Sequence, residues 1–60
     1  MEWQIGTQVR NQQTGDTGKV VAARQLEYDP SIYYDILESS GILSRSTQAS
    51  HEYYGWRAIG

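Results

Sequence analysis

The chain has 60 residues, a formal net charge of −2, no cysteine and a single histidine. A chain of this length folds around one small core, so residues 1–60 are expected to form a single domain. The lack of cysteine excludes disulfides and thiolate metal sites, and His51 alone does not complete a zinc site, so we expect neither metal nor cofactor. The acidic balance disfavours a protein that holds nucleic acid mainly by neutralising its phosphates.

The sequence shows no membrane or export signal. Its apolar runs are all shorter than the roughly 18 residues that a membrane span requires. The N-terminus has no basic leader followed by an apolar stretch. We therefore expect a soluble, cytoplasmic protein.

Glycine residues divide the chain into runs of strand length. Residues 2–5 and 8–13 predict a first strand region with a bend at Gly6. The segment 14–18 follows, and its dense turn formers predict a tight loop. Its glycines adopt positive φ at little steric cost, which favours this interpretation.

The second strand is predicted over residues 19–26, because this run begins with β-branched residues. A helix over residues 20–28 is the alternative, since Ala, Arg, Gln, Leu and Glu favour helices. We rank the helix second because so short a segment without a cap makes only a marginal helix. A polar loop over residues 27–31, around Pro30, follows the strand.

The clearest pair of strands covers residues 32–38 and 42–47, because a glycine-bearing link of three residues joins two apolar runs. Side chains alternate along a strand, so Ile32, Tyr34 and Ile36 share one face and the residues between them share the other. The isoleucine face is the expected core side.

A helical turn over residues 50–55 and a fifth strand over residues 56–59 are predicted at the end of the chain. Ser50 is expected to open the turn by accepting a hydrogen bond from the amides that follow it. His51 beside Glu52 resembles a general base with its carboxylate, but no nucleophile accompanies the pair. We therefore expect a surface histidine and no catalytic residues.

The order of these elements resembles the SH3-like small β-barrels. Residues 5–10, 17–21 and 34–37 and the ending over 50–59 carry the resemblance. It implies an all-β fold, an SH3-like small barrel of five short antiparallel strands with a short helical turn before the last strand. The family serves many functions, so the fold alone does not determine one.

A second resemblance concerns the type II plasmid-encoded dihydrofolate reductases. Residues 6–10 followed by 18–21 look like the opening of that family. Residues 51–54 fall where it carries a Val-Gln-Ile-Tyr stretch that lines a pore between four subunits, and there only Tyr54 matches in identity. The resemblance implies assembly into a symmetric homo-oligomer. A reductase-like oligomeric enzyme is the minor alternative for function.

The aromatic residues all carry a polar group, since the chain has five Tyr, two Trp and no Phe. Such side chains suit positions with one dry and one wet end, as in interfaces. Three of them are expected to take the place of Phe in the core, namely Trp3, Tyr34 and Trp56.

A Tyr-rich patch is the predicted binding site, formed by Tyr33, Tyr53 and Tyr54 and rimmed by Arg45 and Glu52. Protein interfaces favour Tyr, Trp and Arg. The leading hypothesis is therefore a non-enzymatic interaction module or small accessory subunit that binds a protein partner or itself.

A nucleic-acid-binding small barrel is the alternative. Aromatic side chains on small barrels stack on bases, and Arg10, Arg24 and Arg45 are free to converge in space although they are separated in sequence. Acidic residues outnumber basic ones, so the field of the whole molecule repels a polyanion, which places this hypothesis second.

Overall fold

The computed structural model describes residues 2–59, which form one five-stranded sheet and one short helix. In chain order the elements are β1 Gln8–Asn11, β2 Thr17–Gln25, β3 Ile32–Glu38, β4 Leu43–Thr47, α1 Gln48–Tyr53 and β5 Trp56–Ile59. All strand pairs are antiparallel, and the strand order is β4-β3-β2-β1-β5. The predicted all-β class is thereby confirmed, whereas no pairing between β4 and β5 closes this sheet among the described residues.

The helix α1 lies between the two edge strands in sequence and contacts both β4 and β5, as well as β3. It begins at Gln48 because Thr47 caps it: the Thr47 backbone is extended and its Oγ1 accepts a hydrogen bond from the Ser50 amide at 3.2 Å. The prediction that Ser50 opens this turn is therefore wrong. Ser50 donates its backbone amide to the cap, and the helix starts earlier than residue 50.

The first strand is shorter than predicted. Residues 2–5 form no strand, and β1 covers only Gln8–Asn11, because the chain turns at Ile5 and Gly6. A hydrogen bond of 3.0 Å from the Thr7 amide to the Gln4 carbonyl closes that turn. The segment before β1 nevertheless contributes Trp3 to the core.

The loop after β1 and the strand β2 are also displaced from their predicted bounds. The loop covers residues 12–16, and Gly18, predicted in the loop, lies inside β2. A Cβ at Gly18 would lie 2.8 Å from Ile36 Cγ2, so the close approach of β3 requires glycine there. β2 ends at Gln25 instead of residue 26 and is a strand, so the alternative helix over 20–28 is wrong.

The later elements follow the prediction closely. β3 and β5 have the predicted bounds, and β4 begins at Leu43 instead of residue 42. Gly41 in the turn between β3 and β4 has a φ of +95°, which glycine adopts without strain.

The core lies on one side of the sheet and, within residues 2–59, contains six buried hydrophobic side chains with Ile32 packed against them. The side chains of Val9, Val20 and Ile36 are fully buried at its centre, and burial of each stabilises the fold by about 1.5–3 kcal/mol. The aromatic members are the three predicted ones, Trp3, Tyr34 and Trp56. Trp3 and Tyr34 meet edge to face with ring centroids 5.8 Å apart, and the predicted isoleucine face of β3 is confirmed as the core side.

Candidate functional site

The two sides of the sheet differ in character. Along β3, Tyr34 and Ile36 face the core, and Tyr33, Asp35 and Leu37 face the opposite side, which we call the outer side. A β-bulge between Val20 and Ala22 shifts the register of β2, so that Val20 pairs with Ile36 on the core side and Ala22 pairs with Asp35 on the outer side. Ligand contact is therefore expected on the outer side or at the ends of the sheet.

The outer side holds a buried carboxylate. Asp35 is only 2% exposed, and Arg45, its direct partner on β4, donates two hydrogen bonds to it, Nε to Oδ1 at 2.7 Å and Nη2 to Oδ2 at 3.1 Å. From β2, Arg24 Nε lies 3.7 Å from Asp35 Oδ2. Both arginine side chains remain more than half exposed, so the acid is covered by two guanidinium groups that reach solvent.

The arginines control the ionisation of Asp35. The hydrogen bonds from Arg45 are the largest cause, and together with the charges of Arg45, Arg24 and His51 they hold the pKa of Asp35 below its ordinary value despite its burial. A buried charge of this kind persists because it is paired and hydrogen-bonded. Asp35 is thus a structural anchor that positions two cations.

Tyr33 neighbours this cluster on the outer side. It lies between Arg24 on β2 and Thr47 on β4 in the pairing register. Its hydroxyl donates to Asp29 Oδ2 at 2.8 Å, and this hydrogen bond raises the pKa of Tyr33. The pKa of Asp29 is lowered, chiefly because its carboxylate accepts a hydrogen bond from the Ser31 amide. The ring is half-buried, with its hydroxyl tied to the loop between β2 and β3.

A second candidate surface lies at the end of α1. Tyr53 and Tyr54 are 79% and 63% exposed, yet their rings contact each other edge to face with centroids 5.3 Å apart. An edge-to-face pair is attractive, so the two rings support each other while remaining open to solvent.

The backbone beneath this tyrosine pair is anchored to the rest of the fold. Asn11, which is buried, donates its side-chain amide to the Tyr54 carbonyl at 3.1 Å. Arg57 Nη1 donates to the Glu52 carbonyl at 2.7 Å. Gly55 then reverses the chain with a φ of +108°. The pair is therefore presented from a fixed backbone.

His51 is buried on the core side of α1, which contradicts the predicted surface histidine. Its Nε2 lies 2.8 Å from the Tyr34 carbonyl, and its ring stacks on Trp3 with centroids 5.7 Å apart. A carbonyl only accepts, so Nε2 donates. The sequence did not reveal this role, because His51 reaches the core only once Thr47 sets the start of the helix.

The structure distributes the five predicted binding residues over two places. Tyr53 and Tyr54 meet at the end of α1, and Glu52 precedes them in the same helix. Arg45 is bonded to Asp35, and Tyr33 is bonded to Asp29. Within residues 2–59, Tyr33 makes no ring contact with either of the other two tyrosines.

A shallow cleft of about 630 Å³ opens where β1, β2 and β5 meet the turn between β3 and β4. Its walls include the outer-side residues Gln8, Lys19, Leu37 and Ile59, together with the acidic Glu38. In the described part of the chain, no cluster of three acidic or histidine side chains is placed to hold a metal ion. Nor does any helix within residues 2–59 have the length and apolar character to cross a membrane.

Comparison of the chain with protein-family models, with curated proteins and with solved structures finds no match. The function must therefore be inferred from the molecule's own two candidate surfaces, the outer side of the sheet and the Tyr53–Tyr54 pair.

Proposed function

We propose that this domain is a non-enzymatic interaction module that binds a protein surface, a second copy of the chain first of all, through Tyr53 and Tyr54. The observation that supports it is an edge-to-face pair of tyrosine rings that stay mostly exposed, on a backbone that is hydrogen-bonded to the buried Asn11. Tyrosine adds large contact area at little loss of side-chain entropy, and interfaces are rich in it.

The distribution of apolar area adds support. Ten large apolar or aromatic side chains are exposed in the described chain, against six in the core. So small a core leaves the free energy of unfolding low unless association adds to it. Covering Tyr53 and Tyr54 would remove the most exposed aromatic pair from water.

An SH3-like arrangement is part of the same proposal. It is supported by the antiparallel meander of β1 to β4, by the pairing of β5 with β1 and by the short helix between β4 and β5. In this arrangement α1 occupies the space between the edge strands, and the Tyr53–Tyr54 pair stands beside β5. A partner would then meet the helix end and the adjacent edge strand together.

Light scattering across a range of protein concentrations tests the proposal. The wild-type chain is expected to exceed its monomer mass of 6.8 kDa, and Tyr53→Ser combined with Tyr54→Ser is expected to return it to that mass. The matched control is Tyr28→Ser, which removes a single tyrosine that is 94% exposed in a loop. Equal loss of assembly in the control, or an unchanged mass in the double variant, contradicts the proposal.

A further inference from the structure

The strand register places every Lys and Arg of the chain on the outer side of the sheet. Arg10 pairs with Arg57 across β1 and β5, Lys19 pairs with Leu37, and Arg24 pairs with Tyr33. Arg45 pairs with Asp35 on the same side. These five residues are all the Lys and Arg residues that the sequence contains.

Few acidic residues face this side. Of the seven, Asp35 alone occupies an outer-side strand position. The strand positions of the outer side therefore carry a formal charge of +4, from five cations and one anion, although the chain as a whole carries −2. The remaining six are found before β1, in loops, at the end of β3 on the core-side register and in α1; they are Glu2, Asp16, Glu27, Asp29, Glu38 and Glu52. Asp29 borders this side at the Tyr33 hydroxyl, and Glu38 lines the shallow cleft.

Three of the cations have no carboxylate partner within residues 2–59. The ion pairs there join Asp35 to Arg24 and Arg45, so Arg10, Lys19 and Arg57 take part in none. Arg10 also stands directly opposite Arg57, and like charges in that position repel. An anion bound between them would relieve the repulsion.

Apolar side chains lie between the cations on the outer side. A row of paired residues crosses all five strands, from Ile59 through Gln8, Lys19 and Leu37 to Leu43. Leu37 is 44% and Leu43 55% exposed, and part of the row lines the shallow cleft. The surface therefore matches a ligand that has anionic groups along its length and flat apolar faces between them.

We propose that this outer side binds single-stranded nucleic acid. A single strand supplies phosphates for Arg10, Lys19 and Arg57 and bases for the apolar row, whereas a duplex encloses the faces of its bases. Tyr33 beside Arg24 offers a ring on which a base stacks. From Thr17 to Arg24 the strand β2 spans at most about 23 Å, enough for a short site of about four nucleotides.

Fluorescence anisotropy of a labelled twelve-nucleotide oligo-dT or oligo-U, titrated with the full chain at several NaCl concentrations, tests this proposal. The logarithm of affinity is expected to fall with the logarithm of salt, with a slope of about −0.7 for each phosphate neutralised. Arg10→Gln combined with Lys19→Gln is expected to weaken binding at low salt at least tenfold and to make the slope shallower by about 1.4.

Two further sets of variants control for net charge and for stacking. Glu27→Gln changes net charge by one unit away from the outer side, and its affinity is expected to stay within about twofold of wild type. Tyr33→Leu is expected to lower affinity about tenfold by removing a stacking ring. Tyr33→Phe keeps the ring and loses the hydrogen bond to Asp29, so it is expected to bind as wild type does.

Several outcomes would overturn the proposal: no anisotropy change at 20 mM NaCl, equal affinity for a duplex of the same length, or full affinity in the Arg10 and Lys19 double variant. Binding to phosphatidylglycerol vesicles without binding to the oligonucleotide would assign the surface to lipid instead. The Tyr53 and Tyr54 double variant should still bind the oligonucleotide, which separates this proposal from the proposed function.

Discussion

The two sides of β3 satisfy their buried polar groups by different means. On the core side, the His51 ring donates to the Tyr34 carbonyl and stacks on Trp3. On the outer side, two guanidinium groups that reach solvent hold the Asp35 carboxylate. Ring packing and a hydrogen bond to the backbone therefore satisfy the buried polar group on the core side, whereas charged groups satisfy the buried carboxylate on the outer side. The two sides should respond differently to truncation, charge removal and acid.

The largest expected difference concerns truncation of neighbouring residues on β3. Ile36→Ala is expected to lower the free energy of unfolding by about 3 kcal/mol, because it leaves a cavity beside Val20 in the core. Leu37→Ala on the outer side is expected to change it by no more than about 0.5 kcal/mol, since that side chain is already 44% exposed.

Urea denaturation followed by tryptophan fluorescence measures both free energies, because the two tryptophans of the chain, Trp3 and Trp56, are buried in the core. Equal destabilisation by the two substitutions would show that the outer side is covered, for example by a second copy of the chain. The comparison between the sides would then hold only for the monomer.

Charge removal on the outer side is expected to have the next largest effect. Arg45→Gln leaves the buried Asp35 with Arg24 alone, at 3.7 Å, and is expected to lower the Tm by roughly 10 °C. Arg24→Gln keeps both hydrogen bonds from Arg45 to Asp35, so its effect should be much smaller. Similar Tm values for the two variants would mean that Asp35 is not held mainly by Arg45.

The sequence predicted the parts of this fold that local pattern determines. β3 and β5 have their predicted bounds because alternation and turn residues fix them locally. The predictions that Gly18 lies in a loop and that Ser50 opens the helix were wrong. The close approach of β3 requires glycine at position 18 within β2, and the cap at Thr47 sets the start of α1. Contacts between distant residues are absent from a local pattern.

The candidate surfaces show the same limit. The exposure of Tyr53 and Tyr54 follows from a short turn that does not bury both rings, which the sequence indicates. The gathering of scattered cations on one side depends on four strand registers and on the bulge after Val20. A shift of one residue in any strand would turn its cation to the core side, so net charge gave no indication of this surface.

Acid should weaken the Asp35 cluster on the outer side. The pKa of Asp35 in the folded protein lies below its ordinary value of 3.8 because Arg45 binds the carboxylate. A lowered folded pKa contributes stability that is fully present above the unfolded pKa and is lost as the pH falls through the folded pKa. The free energy of unfolding of the wild type should therefore decline below about pH 4.

The matched variant for this prediction is Asp35→Asn, measured by urea denaturation between pH 7 and pH 2. It should be less stable than wild type at neutral pH, and the difference should narrow as the pH falls. Asp29→Asn provides the comparison at an exposed carboxylate whose pKa is also lowered. If the difference in the free energy of unfolding between wild type and Asp35→Asn stayed constant with pH, the pKa of this carboxylate would be the same in the folded and unfolded states.

The smallest expected effect concerns the helix that covers the core side. Thr47→Ala removes the cap of α1 and is expected to lower the free energy of unfolding by about 1 kcal/mol. Ser50→Ala retains the backbone amide that donates to Thr47 Oγ1, so thermal and urea unfolding should change little. A larger loss of stability for Ser50→Ala than for Thr47→Ala would show that Ser50 is the cap after all. Because α1 ends at Tyr53 and is followed directly by Tyr54, loss of the Thr47 cap should also weaken self-association.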